Sequence, residues 1–580
     1  MTGGFARLPS NDEGARYYQN RASIDLAESV SYEDYRRPSV SESVASLVDN
    51  TVPESNVTNE KENNEAPLRQ SLKQYSTLVW WMLAMATAIL YGGYDSAVLG
   101  TLNAVPAYQR DFGECCTWNE KKQKDEDLIP VFWLSLWDGI GPLGGIAGSA
   151  LGGWFLDRWG RRFCLMIGSV IGICAILIFV MANTPQNKDW KRIMILIGKV
   201  LQGFGLGIIK IETFTYMSEV IPVSLKGAVM SLVPIFTLLG QLIGAVIIFA
   251  VSTSESSSAY AIAVGSQWAL AFPPLLLSFF LPESPAYLLK TKHDPTAALT
   301  SFTRLLGPKN NPRAAMLKLQ RTLDEEAKTS ARLSYLDCFN RAHLRRTLIV
   351  IFAGSIEFFF GLALLSSVSY FLQQVGMDAS KSILFLIGGI VVGLLANLTS
   401  TWTVTHFGRR KLTISTLLAA SFLWGIMGLA GIKHFAFTPW LTGGLCTAVI
   451  VVCGVGCWPA SYAIMGETSS VRLRSRSQAL AALSNNLTTI LMNAVLPYLY
   501  NPDAANLGAK TGFVYTGLAG VGALLTYFFV PELKGRSALE IDRLFAKGVG
   551  ARGSSAWRDT EGEREGVGYG EEVPLREAGA

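Results

Sequence analysis

Twelve stretches of this chain are long and apolar enough to cross a lipid bilayer, which an α-helix does in about 20 residues. They run roughly over 77–100, 131–155, 163–183, 191–216, 228–251, 260–281, 347–372, 381–404, 412–432, 439–466, 477–498 and 511–530. Inside hydrocarbon a backbone amide must find its partner within protein, so uninterrupted runs of this length are helices. The fold class expected is therefore all-α integral membrane, with twelve transmembrane helices. Composition agrees: 50% of the 580 residues are hydrophobic and 16% are charged, too apolar for a soluble chain of this length. The lipid bilayer is thus the first partner.

The remaining composition excludes several classes. A net charge of +5 from 50 basic and 45 acidic residues gives no reason to expect nucleic acid. The eight cysteines are scattered, with Cys115 and Cys116 adjacent in an expected outer loop, and four histidines complete the set. Neither a disulfide framework nor a metal-binding spacing results, so no metal, no cofactor and no enzyme chemistry is expected.

Polar stretches divide the chain. Residues 1–74, rich in Ser, Asn, Glu and Asp, form an expected disordered tail; no basic segment followed by an apolar run marks a signal peptide. Residues 75–281 hold six segments and 347–545 the other six. A central loop with short helices spans 282–346, and 546–580 is a second disordered tail. The basic short loops alternate: Arg158, Arg161 and Arg162 follow segment two, Arg409, Arg410 and Lys411 follow segment eight, and Arg472, Arg474 and Arg476 follow segment ten. The positive-inside rule places these loops, both termini and the central loop in the cytoplasm.

An internal repeat connects the halves. Trp154-Phe-Leu-Asp157-Arg158-Trp-Gly160-Arg161-Arg162 after segment two is echoed by Trp402-Thr-Val-Thr-His406-Phe-Gly408-Arg409-Arg410 after segment eight. Ser218-Glu219 with Lys226 after segment four is echoed by Gly466-Glu467 with Arg472 and Arg474 after segment ten. The interval is six segments each time, so the chain reads as two six-helix halves in parallel repeat, an architecture that binds its solute between the halves near the midplane. Segment four also carries Gly203 and Gly207 one turn apart, a bare face that a neighbouring helix can approach closely. Lys199 lies in its apolar part, where an unpaired ammonium costs several kcal/mol, so a carboxylate partner is expected.

These echoes resemble the major facilitator superfamily, and within it the sugar porters. The spacing Leu201-Gln-Gly203-Phe-Gly-Leu-Gly207, Tyr216, Glu219, Lys226 fits the sugar-porter signature of segment four; Pro282-Glu283-Ser284-Pro285 and Pro531-Glu532-Leu-Lys534-Gly535-Arg536 are further marks. Gly93-Tyr94-Asp95, Gly240-Gln241-Leu242-Ile243, Leu496-Pro497-Tyr498, Asn501-Pro502 and the run Leu507 to Phe513 resemble the fungal maltose/α-glucoside permeases. The likeness spans about 75–545. It implies a monomeric, multi-pass plasma-membrane transporter that carries a sugar such as maltose together with a proton by alternating access, with the proton gradient in place of any cofactor.

The resemblance also assigns roles. The segment-one acid, Asp95, would pair with Lys199 and take the proton; the family usually has arginine where Lys199 stands. At the cytoplasmic ends, Asp157, Arg158, Arg161 and Arg162 would meet Glu219 and Lys226, while Arg409 and Arg410 would meet Glu467 and Arg474, together forming a gate. Thr405 stands where the first half has Asp157, so the second half is expected to be looser. A sugar needs several polar groups, because a buried hydroxyl left unpaired costs about 1–3 kcal/mol. The candidates are Gln241, Glu357, Asn485 and Asn486, with Trp458 and Tyr462 supplying aromatic surface.

Several positions depart from the family pattern. Pro234 and Glu357-Phe358 replace usual glutamines, Lys210 and Glu212 charge segment four, and Asp138 stands where the maltose branch tends to have asparagine. Glu357 could instead form a structural ion pair with Lys210, and Gln241 could be interhelical glue. Two rivals remain open: the same fold moving or exporting a different polar or charged metabolite, and a non-transporting sugar sensor. Such sensors tend to have a long C-terminal extension, and only about 35 residues follow Arg543 here.

Overall fold

The computed structural model describes residues 68–557 apart from 120–123, 253–257, 309, 331–334, 434, 470–472, 535 and 537. Twelve spans cross the fold in two groups of six. The first group comprises Ser76–Thr101, Val131–Trp159, Arg161–Met181, Lys188–Val220, Val223–Ser252 and a sixth span made of Ser258–Gly265 and Trp268–Phe280. The second comprises a broken seventh span, then Ala379–Phe407, Arg409–Ala430, a tenth span made of Thr438–Val455 and Cys457–Thr468, then Arg474–Tyr500 and Gly512–Phe529.

Ten helices among the described residues meet the length and hydropathy of a membrane crossing. The second and seventh spans do not, for different reasons. The second is diluted by glycine along Gly139, Gly141, Gly144, Gly145, Gly148, Gly152 and Gly153. The seventh is cut into Arg341–Gly354, Ile356–Phe360, Leu362–Ser366 and Val368–Val375. Its break at Gly361 has φ +91°, and a Cβ there would meet the Tyr515 ring at 2.8 Å, so only glycine fits.

Glycines set the helix pairs of the first bundle. A Cβ on Gly203 would lie 2.1 Å from the Gly141 carbonyl oxygen, and one on Gly207 2.3 Å from that of Gly145. The bare face of span four is thus filled by the backbone of span two. Gly93 and Gly240 bring spans one and five together in the same way, against Thr237 and Leu90.

At the end of the molecule away from the basic loops, β1 (Glu114–Asn119) and β2 (Lys124–Leu128) form an antiparallel hairpin between spans one and two. We call this the hairpin end, and the other the basic end. The hairpin adds a small sheet to an otherwise helical chain. Short helices Pro295–Leu306 and Pro312–Ser330 occupy the central loop.

The tail boundaries differ from those read in the sequence. Leu68–Gln74 is already helical. Beyond 545 the chain stays packed through Trp557: Ser554 is fully buried, and Arg536 lies over the Trp557 ring at 5.2 Å. One aromatic and one buried hydroxyl hold a segment whose composition reads as linker. Residues 1–67 and 558–580, the rest of the two expected tails, fall outside the described residues.

Candidate functional site

The basic end is organised by two corners of the same design. Spans two and three turn at Gly160 (φ +92°), and spans eight and nine at Gly408 (φ +80°). In each case a carboxylate from the end of another span caps the helix that starts there. Glu283 accepts the Arg161 amide (2.9 Å) and the Arg162 amide (3.4 Å); Glu532 accepts the Arg409 amide (3.0 Å) and the Arg410 amide (3.2 Å). A carboxylate there offsets both the free amides and the positive end of the helix dipole.

Each corner also holds one ion pair. Arg161 grips Glu219 with two nitrogens, at 2.5 and 3.1 Å, and Arg409 grips Glu467 at 2.6 and 3.1 Å. Of the residues expected to form the gate, these four meet. Arg162 instead donates to the Ser278 and Phe279 carbonyls at the end of span six, and Arg410 to the Tyr527 carbonyl at the end of span twelve. Asp157 and Arg158 are exposed, with Arg158 over the Trp154 ring at 5.9 Å. The side chains of Lys226 and Arg474 lie outside the described residues. Glu283 and Glu532 were not among the expected gate residues, although their Pro-Glu motifs recur at the same six-segment interval.

Inside the first bundle, Lys199 forms its ion pair with Asp138 on span two, Nζ to Oδ1 3.1 Å. The expected Asp95–Lys199 pair is not among the ion pairs of the described residues. Asp95, 6% exposed, instead accepts the Gln202 amide at 3.0 Å, and the same amide reaches the Tyr91 hydroxyl at 2.8 Å. The glycine contact explains the choice. Asp138 precedes Gly141 by three residues and Lys199 precedes Gly203 by four, so the touching backbones bring these two side chains level. Asp138 was visible in the sequence, and the matching glycines were the signal that it faces Lys199.

The second bundle gathers a carboxylate site. Glu357, just beyond the break at Ser355, accepts the Trp458 indole N–H (2.8 Å), the Tyr462 hydroxyl (3.1 Å) and the Asn485 amide (2.7 Å). Asn485 also donates to the Gly354 carbonyl at 3.1 Å, which the break leaves free. Four of the six solute-site candidates therefore converge. Gln241 does not join them: it donates to Ser96 at 3.2 Å, linking spans five and one. Asn486 is half-buried and lies two turns from Asn493 on the face of span eleven that meets span two. The described ion pairs do not join Glu357 to Lys210, which is exposed on span four. Three neutral donors bond Glu357 instead.

The two bundles are fastened together at the hairpin end. Gln109 donates to Gln373, which in turn donates to the Ala104 carbonyl at 2.7 Å. The Val131 amide reaches Asp503 at 2.8 Å, Ser135 donates to the Ala494 carbonyl, and Asn493 donates to the Asp138 carbonyl at 3.2 Å. Tyr462, though bonded to Glu357, is 56% exposed, so the Glu357 group remains open.

Comparison with known proteins agrees with this architecture. A family model described as sugar (and other) transporter matches residues 80–545. The MFS transporter fmqE of Aspergillus fumigatus is 31% identical over 79% of this chain and 84% of its own length. The alpha-glucosides permease MPH3 of Saccharomyces cerevisiae is 29% identical over 90% of this chain and 85% of its own. Among solved structures, the inward open conformation of the xylose transporter XylE from E. coli superposes with a TM-score of 0.62 at 20% identity, covering 80% of this chain and 99% of that one. That likeness is one of fold: twelve helices in two six-helix halves.

Proposed function

This chain belongs to the sugar (and other) transporter family, made of multi-pass membrane transporters and not enzymes, and on that premise we propose that it carries a sugar, an α-glucoside such as maltose, together with a proton by alternating access. The observation that supports this most is an asymmetry. The bundles are bonded to each other at the hairpin end, while the Glu357 group stays accessible. A solute site between two rocking bundles needs one end shut and the other open.

Under this reading the basic end faces the cytoplasm of a plasma-membrane protein, because its loops carry the arginines. Glu357, Trp458, Tyr462 and Asn485 hold the solute, Asp95 and Lys199 belong to the proton-coupling centre, and the Arg161–Glu219 and Arg409–Glu467 pairs close the basic end when the hairpin end opens. The length-wide similarity to an alpha-glucosides permease supports the sugar class.

Glu357 favours a second reading. A carboxylate bonded by three neutral donors, with no cation paired to it among the described residues, suits a polar or charged metabolite better than a neutral disaccharide. One screen decides. Maltose, sucrose and trehalose are supplied in turn to transporter-null cells expressing this chain, and proton uptake is recorded. Alkalinisation of the medium with at least one sugar is expected; silence with all three, from protein present at the cell surface, would contradict the sugar reading and leave the second.

A further inference from the structure

The proposed proton coupling leaves a mechanical gap. Asp95 is enclosed within the first bundle, on a glutamine and a tyrosine of that bundle. A proton can bias an equilibrium only through contacts that differ between the two states, and the contacts described for Asp95 do not touch the bundle that moves. Asp138 differs in this respect. Its carboxylate holds Lys199, while its own backbone carbonyl accepts the Asn493 amide of span eleven. One turn nearer the hairpin end, Ser135 donates to the Ala494 carbonyl, and a Cβ on Gly139 would meet the Ala494 Cβ at 3.8 Å. Asp138 thus sits on the helix face that shuts the hairpin end.

We propose that Asp138 is a second proton-binding carboxylate, the one that passes protonation on to the hairpin-end closure, in a three-group centre with Lys199 and Asp95. This rests on the proton-coupled reading above and adds to it the residue that transmits the proton's effect.

The step balances in charge. With Asp138 and Asp95 ionised and Lys199 an ammonium, the centre carries one net negative charge. Once the hairpin end opens, a proton from that side binds a carboxylate oxygen of Asp138, replaces its contact with Lys199 Nζ and holds that end open. Lys199 keeps its own proton and turns toward Asp95 on span one. The centre is then neutral, and span two is free to part from span eleven. After the bundles rock to open the basic end, release of the proton on that side restores the pair and the hairpin-end closure. Lysine suits this exchange better than arginine, because a compact ammonium on a flexible stem can swing between two acids without matching a planar fork.

The other titratable groups facing Asp138 are few. Tyr108 approaches from the segment before span two and Tyr500 from the end of span eleven. Arg192, further along span four, is turned away to the Phe112 carbonyl and Glu114.

The test needs no solute, so its failure is distinct from failure of the sugar screen. Nitroxide labels are placed at Thr184→Cys and Lys510→Cys, exposed positions at the hairpin end of the two bundles, in the full chain with Cys115, Cys116 and Cys174 replaced by serine. Their distance distribution is measured in lipid vesicles from pH 8 to pH 5. The long-distance fraction is expected to rise as pH falls. Asp138→Asn is expected to abolish that dependence and hold the open fraction high throughout, while Asp95→Asn retains a pH response. Asp138→Glu is expected to recover the response with a displaced midpoint, which excludes simple misfolding. A distribution that ignores pH in the unsubstituted chain, or an Asp138→Asn chain that titrates like it, would overturn the proposal.

Discussion

The two basic-end corners share a sequence echo, a capping glutamate and an arginine–glutamate pair, yet they are not equally well bonded. In the first, both oxygens of Glu219 are used: Oε1 takes Arg161 Nη2, and Oε2 takes Arg161 Nε and the Ser284 hydroxyl at 2.5 Å. In the second, both Arg409 nitrogens converge on Glu467 Oε1. Glu467 Oε2 is buried with no hydrogen-bond partner among the described residues, and so is Arg410 Nε. The position after the capping glutamate explains part of this, since Ser284 follows Glu283 but Leu533 follows Glu532. A buried acceptor left unpaired costs about 1–3 kcal/mol. Repetition of a motif therefore repeats geometry without repeating strength, and the second corner should part first. Its weakness was expected from Thr405 in place of Asp157. Asp157 is exposed and the side chain of its expected partner Lys226 lies outside the described residues, so among the described groups the difference between the corners lies at Ser284 and Leu533.

Four substitutions would break or sharpen this contrast. The largest effect is expected from Arg161→Ala set against Arg409→Ala. Removing one member of a well-buried pair costs about 3–5 kcal/mol, so net uptake should fall on the order of 100-fold for Arg161→Ala. A fall of about tenfold should suffice for Arg409→Ala, whose partner is already half satisfied. Initial uptake rates normalised to surface protein measure both, and equal losses would erase the distinction between the corners. Ser284→Ala should come next. It makes the first corner resemble the second at a cost of about 1 kcal/mol, read as roughly a fivefold change in the ratio of the two access states by cysteine accessibility. Asp157→Asn should have the smallest effect, within about 0.5 kcal/mol as for other exposed positions. A large loss of uptake in that variant would restore Asp157 to the gate.

How far the sequence could be read depended on whether a feature was local. Segment length and apolarity, being local, located the twelve spans, including a second span whose glycines dilute its hydropathy and a seventh that is broken three times. The six-segment echo gave the two halves, and residue chemistry brought Glu357, Trp458, Tyr462 and Asn485 to one place. Partner choice was not local. Lys199 was expected on Asp95, but which acid a lysine meets depends on which helix lies flush against its own, and here glycines press span two there. Likewise Glu357 was weighed against Lys210, although an indole, a phenol and an amide on neighbouring spans satisfy it. The β1–β2 hairpin left no alternating pattern in Glu114–Asn119 and Lys124–Leu128 by which a strand is recognised.

The central claim is that the hairpin end must open and close for solute to pass. Ser135 and Ala494 adjoin across the closed end, so a disulfide between Ser135→Cys and Ala494→Cys would fasten it shut. With each single-cysteine chain as control, uptake is measured before oxidation, after it, and after reduction. Loss of uptake on oxidation and its return on reduction are expected in the double variant alone. Undiminished uptake with the crosslink formed would contradict alternating access through that end.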